Sequence, residues 1–549
     1  MLIKNLYRRM FEDFSLWHLA IQAKARRTRG TLSVLVVGGG PVGLVFALQL
    51  RAELGNAVDV TVCDGRWKRA SGSVAWMDEE DGVSRREQVV TLQSGVTRHL
   101  SAELSETLFP EGGYTKVWPI GGESPAVFGY PANIRILDIE NRALALAVST
   151  GIHLVPGRVD PGTLERSGHD LIVMADGPRS HSREHFADCF GRADAAPYSL
   201  HGRQVEDVVL GLRITTTMPP ADQVVMTVAQ QRFLMNVTDG EGYLYMRLTP
   251  NEAREVRGHG PGATAFTGCV QSNPCLMHKT VSGDFRCRRH GTVFSPAQDP
   301  ASFLWPRVRE GLSFFDVAEQ DLHAVTAFRL SMESRPRFTA ELTPTGSENA
   351  VFGALLGDAA NAIHVWPGRG LNHGLLSAVS LVNALMSVDP IHGLRSADLL
   401  RHEASMHGLQ HRHKDRAWRN MVVARNGATQ PISEVIAAEI TAPSLSRRHA
   451  RDLMAKRLSG IAERLGTRLP ESPNPSMLVS RLDRLNDATL SMFATVGPWE
   501  TRLSGGPEFD LDLSNPRPAR RGASRLAGQS ATRLSAEADE LHGVSEAQA

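Results

Sequence analysis

The sequence predicts an α/β fold on a parallel sheet, interrupted by a mainly antiparallel β insert and followed by a helical C-terminal region. Three observations predict it. Thr31 to Asp64 reads as strand, glycine-rich turn, helix and second strand, the repeating unit of a parallel sheet. Two later apolar runs, Leu171 to Met174 and Val351 to Leu356, each run into a turn of glycine and aspartate. Between them, from Val205 to about Leu330, the pattern changes to alternating strands with hairpin signals.

The first unit is the most informative. Leu32 to Val37 is a short, β-branched run with the character of a fully buried strand. Gly38, Gly40 and Gly43 follow at GxGxxG spacing, and the apolar run to Leu50 reads as a helix. The first glycine permits a tight turn, the second lets a pyrophosphate approach the backbone, and the third packs helix on strand. The helix N-terminus then faces the phosphates. Ala57 to Cys63 is a second strand ending in Asp64, 21 residues after Gly43, where a carboxylate can grip a ribose 2′-hydroxyl. A bound dinucleotide is the expectation.

Composition narrows the class. At 549 residues the chain holds two or three domains, and a net charge of +1 gives no bulk attraction to nucleic acid or an anionic membrane. No apolar run is long enough to span a bilayer, and a reducing, cytoplasmic setting is expected. Residues 1–30 read as an amphipathic helical lead-in, with Leu6, Met10, Phe14 and Trp17 at helical spacing, packed on the domain or lying on a membrane surface. Five cysteines without CxxC spacing argue against a disulfide framework. Cys269, Cys275, His278, Cys287 and His290 crowd one region, but their spacing fits no standard zinc pattern, and no metal site is expected. His402, His407, His411 and His413 lie in a polar helical stretch and read as a solvated face.

Further along, Arg85 and Arg86 precede Val89 to Leu92, the start of a helix or a strand. Asn133 to Leu154 reads as an amphipathic helix, Leu137, Leu144 and Ala147 inward, followed by a strand. Asp176-Gly177 forms the turn after the strand at Leu171, a place where ligands bind in open α/β sheets. In the insert, DVVLGLRI reads as a half-buried strand, and RFLMNV and YLYMRL flank TDGEG as a hairpin; for Tyr243, Tyr245 and Arg247 core or solvated positions are favoured over facing a substrate. Asp358 is placed to accept hydrogen bonds from a polyol chain, or to cap a helix. Gly368-Arg369-Gly370 opens a helix from near Leu371 to Leu385, whose positive end suits an anionic ring system. The expected organisation is thus a lead-in (1–30), the cofactor fold in two parts (31–204 and 331–390), the insert (205–330), a helical region (391–503) and a disordered tail (504–549).

Taken together, GGGPVG, DLIVMADGPRSHSR and GDAANAIHVWPGRGLN resemble, in this order, the three fingerprints of single-component (group A) FAD-dependent monooxygenases of the aromatic-hydroxylase type. Asp176, Gly177, Ser180 and Arg183 match the middle motif; Gly357, Asp358, Gly368, Gly370 and Asn372 match the last. SRREQVVTLQ and WPGRGLNHGLLSA are most similar to the flavin domain of MICAL proteins, with kynurenine 3-monooxygenase a further relative. Asp64 stands where many relatives carry glutamate, Asn361 where histidine is common, and Ser377 where aspartate is common. Nothing resembles the actin-binding or LIM modules of full MICAL proteins.

The resemblance implies a Rossmann-like FAD-binding domain of the glutathione-reductase type, with the insert lining the substrate. It implies FAD held by Gly38, Gly40, Gly43, Asp64, Arg86, Asp176, Gly177, Asp358, Gly368, Gly370, Leu371 and Asn372. NADPH or NADH would reduce the flavin, dioxygen would add as a C4a-hydroperoxide, and an electron-rich small molecule would take one oxygen atom. The loop from His364 to Asn372 is the implied oxygen pocket, with His364, Trp366 and Pro367 as candidate catalytic residues. Two rivals stand beside this: a halogenase or reductase of the same fold, whose WxWxIP signature is absent, and a non-catalytic flavin-binding interaction protein.

Overall fold

The computed structural model describes residues 31–498 apart from 71, 84, 118–131, 258–268, 270–274, 297–298, 344–349, 364–369, 390–391, 426 and 467–470. The expected lead-in and tail lie outside the described residues.

The first unit forms as the sequence predicts: β1 (Leu32–Val37), α1 (Pro41–Leu54) and β2 (Val58–Asp64). The next elements are β3 (Val89–Leu92), β4 (Ala132–Arg135), α2 (Ile136–Ser149), β5 (His153–Pro156), β6 (Leu171–Met174) and α3 (His181–His185). After a long excursion the chain returns as β14 (Thr339–Glu341) and β15 (Phe352–Leu355). The resulting six-stranded sheet has the order β14-β15-β6-β1-β2-β5 and is parallel except at its β14 edge. The chain is therefore a mixed α/β protein with a parallel sheet and helices. Period-two alternation sorts β1 between two cores. Val34 and Val36 pack with Leu44, Val45 and Leu48 of α1, whereas Leu35 and Val37 join Ile172, Met174 and Phe190 on the opposite face. Burial on both faces explains why these strands read as continuous apolar runs.

The excursion comprises β7 (Asp207–Thr215), β8 (Phe233–Thr238), β9 (Glu241–Arg247), β10 (Met277–Lys279), β11 (Phe285–Cys287), β12 (Val293–Phe294) and β13 (Leu322–Leu330). They make a seven-stranded antiparallel sheet ordered β8-β9-β7-β13-β10-β11-β12. The hairpin β8–β9 closes through Asp239 and Gly240, both in the left-handed region as its tight turn requires. β14 and β15 follow, then α4 (Gly357–Ala360) and α5 (Gly370–Leu385). The C-terminal elements are α6 (Ser396–Arg419), a hairpin of Val422–Arg425 and Ala428–Pro431, α7 (Ile432–Thr441), α8 (Arg447–Gly466) and α9 (Asp487–Val496).

Three local expectations need correction, and for Tyr243, Tyr245 and Arg247 the core position holds. The segment from Asn133 enters as a strand before its helix, and Ile139, Ala143, Leu144 and Ala147 carry the buried stripe while Leu137 is half-buried. β7 is buried on both faces, not half-buried, because Val209 packs with Tyr243 and Tyr245 on the face away from the main insert core. Tyr243 and Tyr245 stack at 5.6 Å inside that cluster, and Arg247 is sealed in an ion pair with Asp207 at 2.9 Å. The histidines of α6 divide: His411 is exposed and His407 bonds Glu403 at 3.2 Å, but His402 and His413 are fully buried. They share the stripe with Met406, Leu409 and Ala417, at the three- and four-residue spacing of a buried helix face.

Candidate functional site

The glycine-rich turn is built by close approach of backbones. Gly38 sits at φ +108°, and a Cβ there would lie 2.5 Å from the carbonyl of Ala175, at the exit of β6. A Cβ on Gly43 would lie 2.0 Å from the Gly38 carbonyl oxygen, so this glycine seats α1 on β1 as its spacing predicts. Gly40 is different: a Cβ there would meet only Arg66 Nη2, at 3.4 Å, and otherwise open space. That space is a cavity of about 530 Å³, a size ordinary for a small-molecule or cofactor site. It opens at the C-terminal ends of β1, β2, β6 and β15 and is lined by turns from three distant segments: Gly38 and Gly40, Asp176 and Gly177, and Gly357 and Asp358. The N-terminus of α1, capped by Gly40 with Pro41 following, faces it with unsatisfied backbone amides.

Asp64 ends β2 on the cavity wall and is saturated by the chain itself. Oδ2 accepts from Gly39 N at 2.8 Å and Arg66 Nη2 at 2.7 Å; Oδ1 accepts from Arg66 N at 2.7 Å and Nε at 3.1 Å. The other end of Arg66 donates to the buried Glu140 of α2 at 3.0 Å, and Arg85 reaches the same carboxylate at 3.4 Å. Both guanidinium groups lie over Trp76, at 4.8 and 4.3 Å from its ring centre. Burial disfavours the Arg66 charge, but Asp64 and Glu140 outweigh it and raise its pKa. Arg66, which lines the cavity, and Glu140 and Trp76 behind it were not anticipated from sequence. An arginine two residues after the strand-ending acid was the available signal; Glu140 gave none.

The opposite wall carries Asp358, half-buried, with no hydrogen bond among the described residues. Burial holds its carboxyl above the usual range, and the nearby Arg86, also on the cavity, pulls it the other way. Gly370 begins α5 next to it, with a Cβ there 4.0 Å from Asp358 Oδ1, and Leu371 lines the cavity beside them. Asn372 points elsewhere. Its side chain accepts from Gln93 N and donates to the Thr91 carbonyl, both at 2.8 Å, stitching α5 to the end of β3. Asp176 accepts from Ser182 Oγ at 2.9 Å through Oδ2, while its buried Oδ1 has no partner. The rest of the middle motif is structural: Ser180 caps α3 and Arg183 ties it to the Ala359 carbonyl at 2.9 Å. His364, Trp366, Pro367 and Gly368 lie outside the described residues.

No family model matches the chain, and no curated protein matches it. Solved structures do. One is a tetrameric form of 2-methyl-3-hydroxypyridine-5-carboxylic acid oxygenase, 15% identical, with 70% of this chain and 90% of that chain covered and a TM-score of 0.41. Another is p-nitrophenol 4-monooxygenase from Pseudomonas putida, at 14% identity, 84% and 98% coverage and a TM-score of 0.41. A third is a variant of Klebsiella pneumoniae HpxO complexed with FAD, at 11% identity, 71% and 89% coverage and a TM-score of 0.38. At these identities and TM-scores, the geometry of the cavity has to carry the functional reading.

Proposed function

We propose that the chain binds FAD in this cavity and, with NADPH or NADH as electron donor, transfers one oxygen atom of O2 to a small, electron-rich, typically aromatic substrate. The observation that supports this reading is the convergence of the three glycine–acid turns on one cavity at the strand ends, with an open cradle at Gly40 and an unpartnered Asp176 oxygen. When bound, FAD would supply the electron transfer and the activation of dioxygen.

The chain's part is binding and orientation. The α1 N-terminus offers backbone amides to an anionic phosphate, and the side-chain-free Gly40 allows its approach. Asp64 holds the turn through Gly39 and presents Arg66 to the cavity. On the other wall Asp358 has free lone pairs for the hydroxyls of a polyol chain, and Arg86 places a positive charge near it. The α5 N-terminus, at Gly370 and Leu371, lines the same cavity, and we assign the oxygen-reacting role to His364, Trp366 and Pro367, which precede it in sequence. In this reading residues 31–204 and 331–390 hold the cofactor, and the insert 205–330 lines the substrate.

The test is direct. Purified protein should be yellow and release FAD on denaturation. A substrate screen scored by stimulated NAD(P)H oxidation, with product mass measured under 18O2, should return a product carrying one labelled oxygen. Protein that is colourless and takes up no added FAD sinks the proposal. Flavin-loaded protein that no substrate stimulates points to the non-catalytic alternative.

A further inference from the structure

Far along the sequence from the cavity's turns, the outer edge of the antiparallel sheet gathers four side chains that none of the chemistry above uses. Cys269, Cys275, Cys287 and His290 place three Sγ atoms and Nδ1 all within 4.8 Å of one another. Nδ1 of His290 is 3.4 Å from Cys269 Sγ, 3.4 Å from Cys275 Sγ and 3.6 Å from Cys287 Sγ. A tetrahedral zinc with Zn–S near 2.3 Å and Zn–N near 2.0–2.1 Å requires N···S edges of about 3.6 Å. The three measured edges agree with that value. We propose that these four residues bind a structural Zn²⁺ ion.

The local backbone supports the assignment independently of the distances. Cys287 to Gly291 forms a tight knuckle. The His290 amide donates to Cys287 Sγ at 3.4 Å, the Gly291 amide donates to the Cys287 carbonyl at 2.9 Å, and Gly291 takes φ +68°. An amide aimed at the sulfur fixes the direction in which Cys287 presents its Sγ to the other three ligands. The Cys275 amide donates to the Cys269 carbonyl at 3.1 Å, which ties the second pair of ligands directly to each other. Thiols are weak donors and weak acceptors, so the four groups cannot satisfy each other well; a central cation bonds all of them. Three sulfurs and one imidazole in a tetrahedron select zinc over harder cations, and four protein ligands leave no open position for catalysis.

The position also says what the ion does. β10, β11 and β12 contain only three, three and two residues, too few ladder bonds to hold a sheet edge in place. The ion would join the segment leading into β10 to the turn between β11 and β12. It would close that edge where hydrophobic packing of Phe285 against Trp305 (5.6 Å between rings) ends. His278, although central in the sequence cluster, faces away and bonds Glu79 at 3.1 Å.

The experiment is elemental analysis of the full-length chain purified without chelator, combined with zinc K-edge absorption. The expected result is one zinc per chain with three sulfur neighbours and one nitrogen. Because a cysteine variant can fail to fold for packing reasons alone, the discriminating variants are at the exposed His290. His290→Cys should keep one zinc with four sulfur neighbours. His290→Ala should lose affinity by more than the roughly 10–100-fold typical of losing an outer-shell partner, read by competition with a chromophoric chelator. His278→Ala should bind as wild type does. A folded, reduced chain that carries no stoichiometric zinc and takes none up when it is added overturns the proposal. So does iron in its place, or a His290→Ala variant with undiminished affinity.

Discussion

Of the three aspartates that line the cavity, Asp64 and Asp358 are in opposite states. Asp64 accepts four hydrogen bonds from its own chain, one of which fixes the amide of Gly39 within the glycine turn. Asp358 accepts none among the described residues and opens onto the cavity. The difference separates two jobs that a carboxylate in a binding site can have. One organises the backbone around the ligand and is satisfied before the ligand arrives. The other is left unsatisfied so that the ligand completes it. Asp358 is half-buried and opens onto the cavity, so its oxygens are held ready for a ligand's donors at little cost in alternative contacts within the chain.

The largest effect comes from disturbing the organised wall. Gly43→Ala drives a methyl into the Gly38 carbonyl oxygen and should destabilise the protein by about 3 kcal/mol, read by denaturant unfolding without added FAD. Gly40→Val, facing open space, should leave that unfolding curve in place and abolish FAD binding. If Gly40→Val keeps its FAD, the cradle is in the wrong place. Next, Asp358→Ala should weaken FAD by about 1.5–3 kcal/mol, the range for hydrogen bonds to a charged group, without lowering the melting temperature of the FAD-free protein. A lowered melting temperature with unchanged affinity would make Asp358 a structural cap. Asp64→Ala should do the reverse. It strands Arg66 beside Glu140 and frees the Gly39 amide, at a cost to the FAD-free protein of about 2 kcal/mol, below the range for a fully buried pair because Arg66 is 27% exposed.

The same contrast between sealed and open groups recurs on α6 and gives a pH test. His402 is buried and bonds Ser380 through Nδ1 at 3.1 Å; burial pushes its pKa down to about 3. His373 on α5, bonded to Asn361 at 3.2 Å, is likewise lowered to about 3, by burial and then by Lys414 and His402. Unfolded histidines titrate near 6.5, so between about pH 6.5 and 3 the unfolded chain binds more protons than the folded one. Stability is therefore full above about pH 6.5 and falls on acidification, with each of the two contributing about 1.4 kcal/mol per pH unit within the window. His402→Gln should remove one proton's worth of that slope, and a slope left unchanged by the substitution would refute the burial argument. The smallest expected effect is at Gly370. A methyl there lies 4.0 Å from Asp358 Oδ1, close enough to crowd a ligand but not to displace the backbone. Gly370→Ala should keep FAD and change the rate of flavin reoxidation by oxygen by less than about tenfold, roughly 1.4 kcal/mol in stopped flow.

What the sequence made legible follows from how local each feature is. The turn at Gly38 to Gly43 is specified by residues that touch one another within a few positions, and its geometry matches the spacing argument. Asp64 was correctly placed at the end of β2, but its saturation by Arg66 and the link to Glu140, 74 residues away, depend on packing that no spacing encodes. On α6 the stripe His402, Met406, Leu409, His413 and Ala417 has the period of a buried face. Residue type outweighed period in the reading, and the two inner histidines were misplaced on the surface. At the sheet edge the crowding of Cys269, Cys275, His278, Cys287 and His290 was legible, but their spacing fits no standard zinc pattern, and which four of them meet depends on the pairing of β10, β11 and β12.

The strand order has a consequence for the newly made chain. β6 is wholly buried, flanked by β1 on one side and by β15 on the other, yet β15 lies beyond residue 350. While the ribosome adds the roughly 180 residues between them, about 10–35 s at 5–20 residues per second, Leu171 to Met174 is an unpaired apolar edge. Such an edge invites pairing with other nascent chains. The cavity has the same timetable, because its third turn arrives with Asp358. Neither FAD nor any other occupant of that cavity can protect the early half of the chain during this interval, and the core of the insert waits longer still, because Ile436, Leu458 and Phe493 of the C-terminal helices complete it.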